Sequence, residues 1–268
     1  MPLSRSGLYH ELHGSPDAPA LMLSAGLGGS ARYWERNLGA LRERFHVIVY
    51  DHRGTGRSDR YVPGGFSVDH MADDMLELLD ELCVMRAHII GHAAGGVAGL
   101  AMALKAPGHV GRLVVVNGWS HPDAHFLRCF ETRLALLRAS GVVAYLRAQP
   151  LFLYPANWIC ANMDWLDEEA EHQRAGFPGV ETTEKRIAAL AAFDIRARLG
   201  DITCPVLALS AADDLLVASR ASELLAGGLP YGEVIELERG GHACNVTEPA
   251  RFNQIVLDWL ASPAPQQE

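Results

Sequence analysis

Apolar residues recur along this chain in two rhythms. Seven short stretches, GLYHEL, ALMLSAG, HVIVYD, AHIIG, RLVVVNG, PVLALSA and EVIELE, either alternate apolar with polar positions or run apolar without a break. Each is expected to form a β-strand. Between the later ones lie MADDMLELLDELC, GVAGLAMALKA, ASELLAGG and FNQIVLDWLA, which read as helices. Strands alternating with helices predict an α/β fold, a mostly parallel central sheet covered on both faces. The unbroken apolar runs in HVIVY and LVVV support burial of the sheet on both sides.

One region departs from the alternation. Between about Ser120 and Leu199 no stretch reads as a strand, whereas FLRCFETRLALLRASGVVAYLRAQPLF, MDWLDEEAEHQRAG and TTEKRIAALAAFDI read as helices. Strand-like sequence flanks this region on both sides. The pattern therefore predicts a core of residues 1–119 and 200–268 interrupted by a helical cap, residues 120–199, over the strand ends where open parallel sheets bind ligands. The tail ASPAPQQE is expected to fray.

Composition narrows the function classes. Half the residues are hydrophobic (49%) and a fifth charged (21%), as in an ordinary globular domain. A formal net charge of −9 argues against nucleic acid, which asks for a basic stripe. The five cysteines are widely spaced and form no CxxC pair, which suits a reduced cytoplasmic protein rather than a disulfide framework. No apolar run is long enough to span a bilayer, and the first residues lack a signal core. No HExxH spacing suggests a metal. No metal, cofactor or membrane partner is expected, and the sequence leaves homo-oligomerisation open.

Glycine-rich turns carry the first chemical signal. Gly26-x-Gly28-x-x-Ala31 follows a strand, and Asp51 ends the next one, a pattern shared with dinucleotide-binding turns. A second reading covers more of the chain. GHAAGG, residues 91–96, has the outline of a strand–turn–helix elbow that presents a nucleophile, but Ala93 stands where that motif puts serine. The turn SAGLGGS around Gly26 would then offer the Leu27 N–H, and the residue after the elbow position the Ala94 N–H, to a developing oxyanion.

A base and its orienting acid complete the pattern. ERGGHACNVTEP puts His242 on a loop just after a strand and two glycines, whereas His10, His13, His46, His70, His88 and His109 have no such setting. SAADDLLV supplies two carboxylates just after the preceding parallel strand; Asp214 is favoured as the orienter of His242, with Asp213 as the alternative.

Together SAGLGGS, YDHRGTGRSD, GHAAGG, SAADDLLV and GGHACNVTEP make the chain resemble the α/β-hydrolase superfamily over nearly its whole length. NGW followed by RCF, then QPLFLYPA and GGHACNVT, resemble more closely the RutD family of the bacterial pyrimidine-degradation (Rut) pathway, whose elbow also reads Gly-His-Ala. The resemblance implies a cytoplasmic hydrolase of a small unstable anion. That anion is 3-aminoacrylate, giving malonic semialdehyde and ammonia, or carbamate, giving ammonia and carbon dioxide.

Without a serine hydroxyl at position 93 there is no acyl-enzyme. His242 and its acid are expected to act on water or to shuttle a proton, with the methyl of Ala93 leaving room. A small anionic substrate calls for a cation or spare donors; Arg128 and Arg133 in the cap are candidates. Trp119 and Trp158 are candidate walls, and His92, Asn117 and Asn245 fall near the site by context. The alternatives are a non-catalytic small-molecule-binding relative, a serine-to-alanine variant of an ordinary esterase, and the dinucleotide enzyme.

Overall fold

Alternation along single strands decides how the sheet is buried. Val47 and Val49 join one apolar cluster and Ile48 the other; Leu21 and Leu23 divide from Met22 in the same way. Residues of both parities are therefore apolar, because helices cover both faces. The computed structural model describes residues 3–263; the predicted fraying of the tail concerns, from residue 264 on, positions outside them.

The seven strands are β1 (His10–His13), β2 (Ala20–Ser24), β3 (His46–Tyr50), β4 (Ala87–His92), β5 (Val110–Val116), β6 (Val206–Ala211) and β7 (Gly232–Leu237). They form one sheet in the order β1-β3-β2-β4-β5-β6-β7. Only β1 runs antiparallel, against β3, and the remaining pairs are parallel. All seven lie where the apolar rhythm predicts strands.

The helices are α1 (Glu35–Leu41), α2 (Val68–Glu81), α3 (Ala94–Lys105), α4 (Ala124–Leu153), α5 (Ala156–Ala161), α6 (Met163–Ala175), α7 (Val180–Ala191), α8 (Arg220–Gly227), α9 (Cys244–Thr247) and α10 (Pro249–Ala261). Residues of α2, α3 and α8 share a cluster with Met22, Ile89, Leu113 and Val206. On the other face Trp34, Leu41, Phe252, Val256 and Trp259 pack on Leu21, Ile90, Val114 and Leu207. Helices α4 to α7 fall between β5 and β6. Within α4 the helix breaks at Gly141, whose φ of 78° no helical residue adopts.

α3 is apolar all round, and residues 94–103 of it are buried. Glycine lets it approach the sheet: a methyl on Gly95 would lie 2.1 Å from the Ser24 carbonyl oxygen, and one on Gly91 2.4 Å from the Gly95 carbonyl. Gly95→Ala is therefore expected to lower the unfolding free energy by about 1–3 kcal/mol through overpacking. Gly39→Ala in α1, where the added methyl meets nothing within 4 Å, is expected to be neutral or stabilising. Equal urea midpoints for the two variants would contradict this account of the α3 approach.

Candidate active site

β4 ends at His92 and α3 begins at Ala94, so the chain reverses across one residue. Ala93 takes φ 45° and ψ −107° there, a conformation that costs an L-residue about 1–3 kcal/mol. It is held by the Ala93 N–H donating to the Val116 carbonyl at 2.8 Å and by its own carbonyl accepting from Val97 N. The turn leaves the Ala94 N–H at the first position of α3, where a helix supplies no acceptor. The Ala93 methyl is 7% exposed and joins the cluster that holds Trp119, Phe126 and Phe130.

Facing this turn is the loop after β2. Residues Gly26 to Gly29 close a tight turn, Gly29 N donating to the Gly26 carbonyl at 2.9 Å. The Gly29 carbonyl accepts from His52 N at 2.7 Å and Thr55 Oγ1 at 3.1 Å. Gly26 must lack a side chain because a methyl there would lie 2.7 Å from His92 Nδ1. Among the described residues the Leu27 and Ala94 amides have no protein acceptor.

The same turn disposes of the dinucleotide pattern. Asp51, which that reading would aim at a ribose, is buried, with Oδ1 accepting from Ala31 N and Oδ2 from Arg57 N, each at 2.8 Å. Both of its oxygens serve the protein's own backbone, and Gly28 opens onto a short 3₁₀ turn, Ala31–Trp34, rather than a long helix.

His242 sits on the loop after β7, made possible by Gly240 (φ 139°) and Gly241 (φ 65°). Its Nδ1–H donates to Asp214 Oδ2 at 2.8 Å, and both side chains are buried. That bond leaves Nε2 as the free lone pair of a neutral ring. Asp214 is itself fixed, since Oδ1 accepts from Leu216 N at 2.7 Å and Val217 N at 3.0 Å. Asp213 turns the other way and accepts from Gly241 N at 2.8 Å, holding the loop rather than the ring.

Asn117, at φ 48°, clamps that loop from β5. Its Nδ2 donates to the His242 carbonyl at 2.7 Å, and its Oδ1 accepts from Ala211 N at 3.2 Å. His92 Nε2–H donates to the same His242 carbonyl at 2.8 Å, and the two imidazoles lie 4.7 Å apart. Tyr33 stacks on His92 at 4.8 Å and donates to Asn245 Oδ1 at 2.8 Å. The helices between β5 and β6 reach the same loop: Ala243 N donates to the Leu153 carbonyl at 3.0 Å.

Trp119 is buried with its ring 4.5 Å from Phe126, in the cluster that holds Ala93. Arg133 is buried. Its guanidinium donates to Tyr145 Oη at 3.0 Å and Gln149 Oε1 at 3.1 Å, and it stands over the rings of Phe130 and Phe152. No carboxylate lies within 4 Å of it among the described residues. Arg128 corrects the sequence reading. Its side chain is 80% exposed beside Glu131, on the outer face of α4, where water screens it and it lines no buried site. Trp158 stacks on Tyr154 and faces Arg36, and it is not part of the cluster that holds Ala93.

A family model described as the alpha/beta hydrolase fold matches residues 19–249. A Caulobacter sp. (strain K31) protein named "Putative carbamate hydrolase RutD" is 51% identical over 260 residues, covering 96% of this chain and 97% of that one. The chain belongs to the α/β-hydrolase fold family, within its RutD group. A protein of the same name from Serratia proteamaculans is 50% identical over 255 residues, covering 94% and 96% of the two chains. Among solved structures, a hydrolase from Pseudomonas aeruginosa matches with TM-score 0.83 at 30% identity, covering 95% and 94%. The enol-lactonase from Burkholderia xenovorans shares the fold, with TM-score 0.87 at 24% identity over 95% and 96%.

In an α/β-hydrolase the position of Ala93 carries serine, and the order elbow, acid, histidine is that of residues 93, 214 and 242. Two residues at this edge escaped the sequence reading. His52 lies between Ser24 Oγ (3.1 Å) and an Arg186 guanidinium nitrogen (2.9 Å). Arg186 had a visible signal: it shares the buried face of α7 with Thr183, Ile187 and Leu190.

Burial holds the His52 and His92 pKa values well below the usual histidine range, helped by the nearby Arg186 cation in one case and by His242 in the other. Unfolding frees both rings to titrate near 6.5. Below that pH the unfolded chain binds protons that the fold refuses, so stability is full above it and falls as pH drops. Each ring contributes a slope of up to about 1.4 kcal/mol per pH unit. Urea titrations between about pH 7 and pH 5 are expected to show that loss, with a shallower slope in His52→Gln. The same slope in the variant and the parent would contradict the assignment.

Proposed function

We propose that this chain hydrolyses a small, unstable, anionic carbon–nitrogen compound, 3-aminoacrylate or carbamate, without a covalent enzyme intermediate. The observation that carries the reading is the buried His242–Asp214 pair at 2.8 Å, on the loop clamped to the residue before a strained elbow that bears only a methyl. The relatives named "Putative carbamate hydrolase RutD", similar over nearly their full length, support the reaction class.

The chemistry follows from which protons move. For 3-aminoacrylate a proton moves from nitrogen to C2, giving the imine of malonic semialdehyde, and water then adds to C3. His242 Nε2 accepts one proton of that water and delivers it to nitrogen, and the remaining hydroxyl proton follows by the same route as the C–N bond breaks, giving ammonia and the aldehyde. For carbamate the imidazolium protonates nitrogen, and the C–N bond breaks to release ammonia and carbon dioxide. Asp214 holds the ring in its reactive tautomer and stabilises its charged form. The Leu27 and Ala94 amides receive negative charge that builds on the substrate, as an oxyanion turn does. Gly26 lets that turn lie against His92.

Arg133 supports the anionic character of the substrate. It is a buried guanidinium without an acidic partner among the described residues, and such a group attracts carboxylates. Trp119 helps exclude water, with Phe126 behind it. A site lacking its serine retains about 10³–10⁴-fold of catalysis in the serine-protease case. That suffices for a compound that already decomposes in water and fails for an unactivated amide.

Removing the base tests the reading. Substrate decay is followed with the wild type, with His242→Ala, with Asp214→Asn and in buffer alone. The protein-dependent rate is expected to fall about 10²-fold or more in His242→Ala and by less in Asp214→Asn. Equal rates in all four samples would overturn it, and tight binding without turnover would mark the chain as a ligand-binding relative.

A further inference from the structure

Arg186 is among the largest fully buried side chains of the molecule. Burying a cation without a carboxylate is costly, and none lies within 4 Å of this one among the described residues. Burial lowers its pKa to about 10, so it keeps its charge at neutral pH. Its terminal nitrogens donate to two backbone carbonyls and one imidazole, and its buried Nε–H has no partner among the described residues. One terminal nitrogen donates to the Arg53 carbonyl at 3.2 Å, and the other to the Leu27 carbonyl at 3.2 Å and to His52 Nδ1 at 2.9 Å. With Nδ1 thus accepting, the His52 proton must sit on Nε2 and donate to Ser24 Oγ, which pairs in turn with Tyr50 at 2.8 Å.

These contacts converge on the turn that faces Ala93. The chain from His52 to Thr55 grips it at the Gly29 carbonyl, and Arg186 grips it two residues earlier at Leu27. The second grip comes from α7, which also docks through Lys185 Nζ on the Val62 carbonyl at 3.1 Å and Thr182 against Gly54. We infer that Arg186 is a positioning residue, a strut from the helices between β5 and β6 that fixes the Leu27 carbonyl and through it the turn that carries the Leu27 N–H. The Gly26–Gly29 turn takes its working conformation only when α7 is seated. The inference rests on the proposed role of the Leu27 N–H as a donor to the reacting anion. Lysine cannot replace the strut, because an ammonium lacks the planar fork that spans two carbonyls and an imidazole.

The test uses the full chain with Arg186→Met and Arg186→Lys, read by amide hydrogen exchange and by steady-state kinetics. Exchange at Gly29, whose N–H closes the turn, is expected to speed up about tenfold or more in Arg186→Met, while kcat falls about 10- to 100-fold and KM changes little. Arg186→Lys keeps a cation in place and guards against a folding artefact; it is expected to melt near the wild type and still loosen the turn. In a third variant, Arg186→Ala, which is expected to loosen the turn and lower kcat as Arg186→Met does, added guanidinium is expected to restore both. A lower melting temperature with unchanged exchange at Gly29 would overturn the inference. A loosened turn with unchanged kcat would uphold the strut and overturn the role given to the Leu27 amide.

Discussion

The reversal at Ala93 is the constraint around which the edge of the sheet is built. A residue with a side chain is kept at positive φ, and a relaxed strand-to-helix turn would avoid that cost of about 1–3 kcal/mol. Offsetting it are the hydrogen bond to Val116 and the close packing that Gly91 and Gly95 permit. The return on that strain is directional. It leaves the first amide of α3 without a helical acceptor and sets the residue 93 methyl in the cluster that holds Trp119, Phe126 and Phe130.

Around that turn, hydrogen bonds fix position more often than they supply chemistry. His52 and His92 are kept neutral by burial, each with its proton assigned by a neighbour, and neither has a carboxylate partner among the described contacts. His242 differs because Asp214 accepts its Nδ1 proton, and Asn117 and His92 pin its carbonyl. His92 and His242 lie 4.7 Å apart, and only His242 has a carboxylate partner among the described contacts. Such division of similar groups by surroundings is how a single fold assigns acid–base roles.

Much of this was legible in the sequence, and the exceptions have physical causes. The seven strands follow the apolar rhythm because each face of the sheet must be covered. α1 does not, since seven residues containing a glycine carry too little periodicity, and the helix depends on the 3₁₀ turn before it. The elbow, His242 and the acidic pair stand out through their glycines and their order along the chain. Choosing between Asp213 and Asp214 requires the turn's geometry, because adjacent carboxylates project oppositely. Arg128 and Arg133 lie five residues apart, roughly 140° around a helix, so one faces solvent when the other is buried. The break at Gly141 blurred that face in the sequence. The place of Arg186 on the buried face of α7 was legible, but its pairing with His52 joins segments far apart in the chain, which no local pattern encodes.

The most direct test of chemistry without a nucleophile restores the missing hydroxyl. Ala93→Ser is compared with the wild type for decay of 3-aminoacrylate and of carbamate, and both proteins are treated with a serine-directed fluorophosphonate. The account predicts that the variant is labelled at position 93 while its rate on the small anions stays equal to or below that of the wild type. A gain of orders of magnitude in that rate, with an acyl or carbamoyl adduct trapped on the new serine, would show instead that the natural alanine has disabled a covalent enzyme.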